Sequence, residues 1–345
     1  MGCDRYHRQT LLPQLGRAGQ ERLAHARVLL VGCGALGSVV AEQLVRAGVG
    51  YVRIADRDWV EVTNLQRQVL FDERDAAEQT PKAIAAARRL GEINSSVKVE
   101  PKVVDVHPGN IEELMRVDGN VVDVIVDGTD NVDTRYLIND VSVKESVPWV
   151  YGACVGTEGR CMAVAPPGTA CLRCVFPEPP GAGELPTCDT AGVLGPAAAV
   201  VGALQATEAI RILLGKEVMR QMIAIDLWAG RFRTISLEEA KRPDCVACGE
   251  RRFEFLENQG MSRSTSLCGR NAIQVRPARA AYLDLSEMAS KLATVGQVEQ
   301  TPYLVRCACT EGEIQLTVFP DGRAIIQGVT DAERARSLYA RFIGS

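Results

Sequence analysis

The stretch GCGALG, Gly32 to Gly37, has the residue types that hold a phosphate rather than fill a core. Between a strand and a helix, such glycines allow a tight turn and let a phosphate approach the helix N-terminus. Asp56 follows Gly37 by 19 residues and closes the next apolar run, where a carboxylate takes ribose hydroxyls. The pair specifies an adenine nucleotide but reads only ribose and phosphate, so it does not separate NAD from ATP. The next residues do. DRDWVEVTNLQRQ, 56–68, sets Asp58, Asn64, Arg67 and Gln68 beside the ribose carboxylate, and a triphosphate needs such cations and amides. In TPKAIAAARRL, Lys82 opens a helix, where the dipole disfavours a cation unless it meets an anion. VIVDGTDN ends a buried strand where open α/β sheets bind ligands, and Asp127 or Asp130 there offers a carboxylate to Mg²⁺. Each residue also has a plain reading: Arg67 as a surface ion pair, Lys82 as a solvated helix residue, Asp130 as an N-cap.

The twelve cysteines divide by spacing. CLRC (Cys171, Cys174) and CVAC (Cys245, Cys248) supply four thiolates, which suit a closed tetrahedral zinc site. A redox CxxC is the rival reading, and neither pair heads a thioredoxin-like pattern. Cys188, in LPTCDTAGVLGP, precedes a helix in a Pro/Gly-rich stretch where thiolate character is favoured. It is either a nucleophile or an ordinary loop cysteine. Cys33, Cys154 and Cys161 lie on or beside strand patterns and read as core.

The elements that must position these groups alternate. Val28–Val31, Tyr51–Ala55, Val97–Val104, Val121–Val126 and Trp149–Val155 read as strands. Helical patterns at Gly34–Ala47, Pro81–Glu92, Ile111–Arg116 and Thr134–Glu145 fall between them. That order implies right-handed crossovers and a mostly parallel, Rossmann-like doubly wound sheet. The segment 176–196 is too punctuated by Pro and Gly for regular structure. Gly195–Leu214 reads as a buried helix, since Gln205, Glu208 and Arg211 interrupt it, and not as a membrane span. Met222–Asp226 and Arg231–Leu237 form two strands turning at Ala229-Gly230. A polar, basic boundary near residue 250 separates a domain over 1–250 from a small α+β domain over 251–345. There, Ala272–Val275, Tyr303–Cys307, Ile314–Phe319 and Ala324–Ile326 read as strands, with helices at Leu285–Val295 and Asp331–Phe342.

At 345 residues and 46% hydrophobic, the chain has material for two or three cores. A net charge of −4 gives no general attraction to nucleic acid or an acidic membrane. The N-terminus has no apolar stretch, so no export signal is expected, and twelve cysteines then suggest metal ligation or thiol chemistry in the reducing cytoplasm rather than disulfides. Three histidines, none beside a Ser/Asp constellation, argue against a hydrolase triad.

RYHRQ near the start, GCGALG, DRDWVEVTNLQRQ, PK, GTDN, two CxxC pairs and TCDTAGVLGP occur in that order between Tyr6 and Gly249. In this the chain resembles the ThiF/MoeB/E1-like adenylyltransferases, which activate the C-terminal glycine of ubiquitin-like sulfur carriers. Ala35 departs from the Gly that many relatives carry. The resemblance implies an antiparallel extension of the sheet and ATP as substrate. It implies a nucleotide site of Gly32, Gly34, Ala35, Gly37, Asp56 and Asp58, with Thr63, Asn64, Leu65, Gln66 and Arg67, then Lys82, Asp130 and Asn131. Asp56 would hold ribose, Asn64, Arg67 and Lys82 the triphosphate, and Asp130 Mg²⁺. Arg8 would reach the neighbouring site of a homodimer. Cys188 sits where some relatives carry the thiol that takes over the activated carrier, and zinc is implied at the four cysteines. The partners would be a carrier ending in Gly-Gly and a sulfur donor. The chain itself ends RFIGS, so it reads as activator rather than carrier. Two alternatives share the fingerprint: a nicotinamide-dependent oxidoreductase and a tRNA-modifying dehydratase.

Overall fold

The computed structural model describes residues 5–181, 187–257, 264–267, 272–276, 283–310 and 314–344. It divides into two compact units, Met1–Gln259 and Gly260–Ser345.

The first unit is built on an eight-stranded sheet. Its strands are β1 (Arg27–Val31), β2 (Tyr51–Asp56), β3 (Lys98–Val103), β4 (Val124–Asp127), β5 (Trp149–Val155), β6 (Glu158–Val164), β7 (Gln221–Asp226) and β8 (Arg231–Ser236). They lie in the order β8-β7-β6-β5-β4-β1-β2-β3. The five from β3 to β5 are parallel; β6, β7 and β8 continue the sheet antiparallel. The mostly parallel sheet with an antiparallel extension is therefore as expected. Strand β6 is an addition, because Glu158, Gly159 and Arg160 blur its apolar alternation. Residues 120–121 are not the start of β4; they form a separate two-stranded ribbon with Arg116–Val117.

Among the helices, α1 (Gly16–His25), α2 (Ala35–Ala47), α3 (Lys82–Ile93) and α5 (Gly195–Leu213) join one core with the inner faces of β1, β2 and β4. Helix α4 (Val132–Glu145) and the cysteine-bearing segments build a second core on the opposite face. Burial on both faces explains why β1 and β4 are continuous runs of Val, Leu and Ile. Helix α5 is long and apolar enough to cross a bilayer by composition. Here it packs on α2, β5 and β6 through a face that includes Ala198, Val201, Gly202 and Ala209.

Chain order puts the β1–α2–β2 crossover to one side of β1, whereas β4 pairs on its other side. This is the topological switch point, and it opens a crevice beyond the carboxyl ends of β1 and β4.

The second unit has a six-stranded antiparallel sheet of β9 (Ser264–Leu267), β10 (Ala272–Val275), β11 (Gly296–Gln300), β12 (Val305–Cys309), β13 (Gln315–Val318) and β14 (Ala324–Gln327). Helices α6 (Leu285–Leu292) and α7 (Ala332–Phe342) join its core. Helix α6 stops short of Val295, the expected end, and the chain enters β11 at Gly296. A Cβ on Gly296 would lie 2.1 Å from the Ala308 carbonyl oxygen.

Candidate active site

The loop after β1 is shaped by contact with the loop after β4. Gly32 has φ +85°, and a Cβ there would lie 2.8 Å from the Gly128 carbonyl. A Cβ on Gly37 would come within 2.1 Å of the Gly32 carbonyl oxygen, and one on Gly128 within 2.3 Å of the same atom. Gly34 differs: its nearest neighbours would be 3.9 Å away, at Gln68 and Gly128. Three glycines thus close the loop on itself, while at the fourth a Cβ would make only ordinary contacts. Helix α2 begins there with no side-chain cap, which leaves its first-turn N–H groups for a ligand. Cys33 beside it is fully buried, and burial raises its thiol far above the ordinary range. It is core, as is Cys161; Cys154 is half-buried.

Asp56 closes β2 and is almost buried. Its Oδ2 accepts the Cys33 N–H at 2.6 Å and its Oδ1 the Asp58 N–H at 2.7 Å. Burial raises this carboxyl, while the Lys82 ammonium and the two N–H donors pull the other way. Residues 58–60 then run beside 80–82: the Val60 N–H donates to the Thr80 carbonyl and the Lys82 N–H to the Asp58 carbonyl. The register delivers Lys82, at the first position of α3, with Nζ 3.2 Å from Asp58 Oδ2. Burial works against its charge, but Asp58, Asp56 and Asp130 together outweigh it and raise the pKa. Lys82 is therefore a buried cation held by acids, not a solvated helix residue.

The segment 61–68 forms a 3-10 turn at Val62–Asn64. Asn64 is buried, and its Oδ1 accepts the Glu61 N–H, which turns its amide nitrogen to other work. Arg67 donates to the Thr63 carbonyl at 2.9 Å rather than to an acid. Thr63 and Gln66 are exposed and Leu65 is half-buried. Gln68 is buried with its Oε1 lacking a partner, and its Nε2 lies 3.9 Å from where a Gly34 Cβ would stand. Its sequence signal was the Q closing NLQRQ.

The two acids of VIVDGTDN part company. Asp127 is fully buried, 3.1 Å from Arg135 Nε, and accepts from Thr129 N–H and Oγ1. It is spent on the fold, and so is not free for a metal. Asp130 is exposed, and it is not the N-cap of α4: that is Asn131, whose Oδ1 accepts the Thr134 N–H at 2.9 Å. An exposed carboxylate at the carboxyl edge of β4 fits a hard cation. Sequence reasoning had no handle on Arg135, whose guanidinium also donates to the Thr129 and Gly152 carbonyls.

The crossover segment reaches the same end of the sheet. Cys188–Ala191 is a single helical turn, and the Leu194 N–H donates to the Gly156 carbonyl at the β5–β6 turn. Gly195 abuts the segment above, 3.0 Å from its ideal Cβ to the Gln66 carbonyl oxygen. The Cys188 side chain lies outside the described residues.

Arg8 is not in this crevice. It belongs to a helical turn, His7–Thr10, held at the other end of α2: Gln9 Nε2 donates to the Ala47 carbonyl, and Asn94 Nδ2 donates to Tyr6 Oη. At 1.5 Å per residue, α2 separates Ala47 from the glycine loop by roughly 18 Å.

Away from the crevice, the sulfurs of Cys171, Cys174, Cys245 and Cys248 all lie within 4.8 Å of one another. Individual separations are 3.9, 3.6 and 3.4 Å for 171–174, 171–245 and 174–248. Four thiolates around zinc at 2.3 Å have edges of about 3.8 Å, so the donor set fits the ion. The Arg242 N–H points at Cys174 Sγ, and the Gly249 N–H closes the second pair on the Cys245 carbonyl. A Cβ on Gly249 would strike the Pro243 carbonyl at 2.1 Å. The site ties the segment after β6 to the end of the first unit.

Fold and crevice together define a doubly wound α/β nucleotide-binding protein with a four-cysteine cluster on its far face. Residues 6–247 match the ThiF family, to which the chain belongs. It is 43% identical over 341 residues to the sulfur carrier protein ThiS adenylyltransferase of Bacillus subtilis, covering 99% of each chain. It is 42% identical over 254 residues to the sulfur carrier protein adenylyltransferase of Thermus thermophilus, covering 72% of this chain and 91% of that one. Among solved structures, Escherichia coli MccB with ATP superposes with a TM-score of 0.61 at 22% identity, over 72% of this chain and 75% of that one, a likeness of fold.

Proposed function

We propose that this protein is an ATP-dependent adenylyltransferase acting on the C-terminal glycine of a ubiquitin-like sulfur carrier. The carrier carboxylate attacks the α-phosphorus, the new P–O bond forms as the bond to the β-phosphate oxygen breaks, and pyrophosphate leaves. An acyl-adenylate remains for a sulfur nucleophile. The observation that carries this reading is Lys82: a buried cation with acids on one side, beside the glycine loop and the carboxylate of Asp56. Full-length similarity to a sulfur carrier adenylyltransferase supports the same reaction.

Catalysis is positioning and charge stabilisation. The amides of Gly34, Ala35 and Gly37 face the phosphates, and Asp56 takes the ribose. Asn64, Arg67 and Lys82 hold the triphosphate, with Thr63, Leu65, Gln66 and Asn131 lining the approach. Asp130 holds Mg²⁺, which when bound neutralises phosphate charge. Arg8 completes the neighbouring site of a homodimer; its place at the far end of α2 suits reach between subunits and excludes reach within one. The cysteine cluster holds structural zinc. Cys188 takes over the activated carrier: its thiolate attacks the acyl carbon, AMP leaves and a thioester forms, the Cys188–Ala191 turn standing against β5. Nine described cysteines without a disulfide suit the cytoplasm.

The test is pyrophosphate–ATP exchange with a Gly-Gly-ended carrier and with the same carrier lacking its last two residues. Exchange should require the intact tail and Mg²⁺. Tight NAD binding with no exchange would overturn the reading in favour of an oxidoreductase.

A further inference from the structure

Asp58 has the wrong charge to touch a triphosphate, and Asp56 already serves as the ribose acid. Yet Asp58 sits at the centre of the site. Its N–H donates to Asp56 Oδ1 at 2.7 Å, its carbonyl accepts the Lys82 N–H at 2.8 Å, and its Oδ2 lies 3.2 Å from Lys82 Nζ. Asp56 in turn accepts the Cys33 N–H of the glycine loop. One chain of contacts therefore runs from that loop through both acids to the lysine. On its other side, Asp58 Oδ1 stands 3.9 Å from Arg57 Nε, and Arg57 pairs with Asp105 at 3.0 Å. Two cations of different duty share this one carboxylate.

We propose that Asp58 is a positioning residue that holds the Lys82 ammonium in register with the bound nucleotide and makes no contact with the nucleotide itself. This rests on the reading of Lys82 as a phosphate ligand. A lysine carries its charge on a long flexible stem, and a helix first turn repels that charge. Lys82 is also buried. Without a fixed counter-charge the ammonium has reason to swing away. Asp58 supplies that charge from the chain segment that also carries the ribose acid, so ribose recognition and phosphate recognition are set by one backbone register. Asp56 and Asp130 are the other acids that act on Lys82, and neither is hydrogen-bonded to Nζ in the way Asp58 is.

The test compares Asp58→Asn, Lys82→Ala and the double variant in pyrophosphate–ATP exchange, with ATP binding measured by calorimetry. Asp58→Asn keeps the size and the backbone contacts of the residue. It should lower kcat about 10- to 100-fold while KM and Kd for ATP change less than about 3-fold. In the Lys82→Ala background the same change should cost nothing further, because the group it positions is gone. A rise in KM and Kd with kcat intact would make Asp58 a direct nucleotide ligand and overturn the proposal. So would an equal loss with and without Lys82. Full exchange by Lys82→Ala alone would instead sink the reading of Lys82, a result separable from the other two.

Discussion

If Arg8 serves the neighbouring site, two dead variants should restore each other. The glycine loop stands at the start of α2 and the Arg8 turn is held at its end by Gln9 and Tyr6, roughly 18 Å of helix away. Within one chain Arg8 and Lys82 therefore cannot meet on the same phosphates. Arg8→Ala and Lys82→Ala should each lower exchange by about 100-fold or more, the scale for losing a charge-stabilising group. In a dimer formed from one chain of each kind, one site has both residues intact and the other has neither. A hybrid isolated through two different tags should then show about half the activity of wild-type dimer, and a random mixture, half of it hybrid, about a quarter. Native mass spectrometry verifies the hybrid, and pyrophosphate–ATP exchange reads the activity. Hybrid dimers as inactive as their parents would refute the assignment in trans.

Other outcomes follow from the same geometry. Gly37→Ala forces a Cβ to within 2.1 Å of a backbone oxygen and should cost several kcal/mol of stability, whereas Gly34→Ala meets nothing closer than 3.9 Å and should melt close to wild type while losing ATP affinity; equal melting shifts would contradict this. Metal analysis should find one zinc per chain, and Cys245→Ser should lose metal and melt early, since thiolate binding and folding are coupled; a well-folded metal-free protein would assign the cluster elsewhere. Burial lifts the Asp140 carboxyl from 3.8 to about 6, so the folded state binds its proton more tightly than the unfolded chain does. Its stabilising contribution is complete below about pH 4 and fades as pH rises through about 6, by (6 − 3.8) × 1.36, or about 3 kcal/mol. Asp140→Asn should gain on wild type by that order between pH 4 and 7, and parallel stability curves would refute the shift. Cys188→Ser should retain exchange but lose any thiol-labile carrier–enzyme thioester; equal sulfur transfer in both proteins would make the thiol a bystander.

The parallel half of the sheet was legible because strands buried on both faces are unbroken apolar runs, and the glycines and acids at their ends stand out against them. In the extension β7 and β8 were legible too, but β6 was not, and neither was β11 of the second unit. Strand β6 opens with Glu158, Gly159 and Arg160, two of them exposed, and β11 is GQVEQ with one apolar residue. Their pairing is fixed by neighbours far along the chain, such as Gly159 against Val201 and Gly296 against Ala308. The site showed the same division. That Gly34, Asp56, Lys82 and Asp130 gather at one crevice follows from motif order and strand ends. That Lys82 is held by Asp58, 24 residues away, follows from the pairing of 58–60 with 80–82, which no periodicity announces.

The paired acids sharpen this point. Asp56 and Asp58 are two residues apart and Asp127 and Asp130 three, and in each pair one member is more deeply buried than the other. The buried members sit at the last strand position, where the pleat still fixes the side chain: Asp127 at the end of β4 receives Arg135, and Asp56 at the end of β2 receives two backbone N–H groups. The later members lie past the last ladder bond, where the chain is free to turn outward into the crevice. A motif with two acids at a strand end thus divides by position: the first is fixed at the last strand residue, and the second lies past it, exposed at β4 and paired with Lys82 at β2. The same backbone rule therefore sets an acid past the end of each strand, and both act on the Lys82 ammonium.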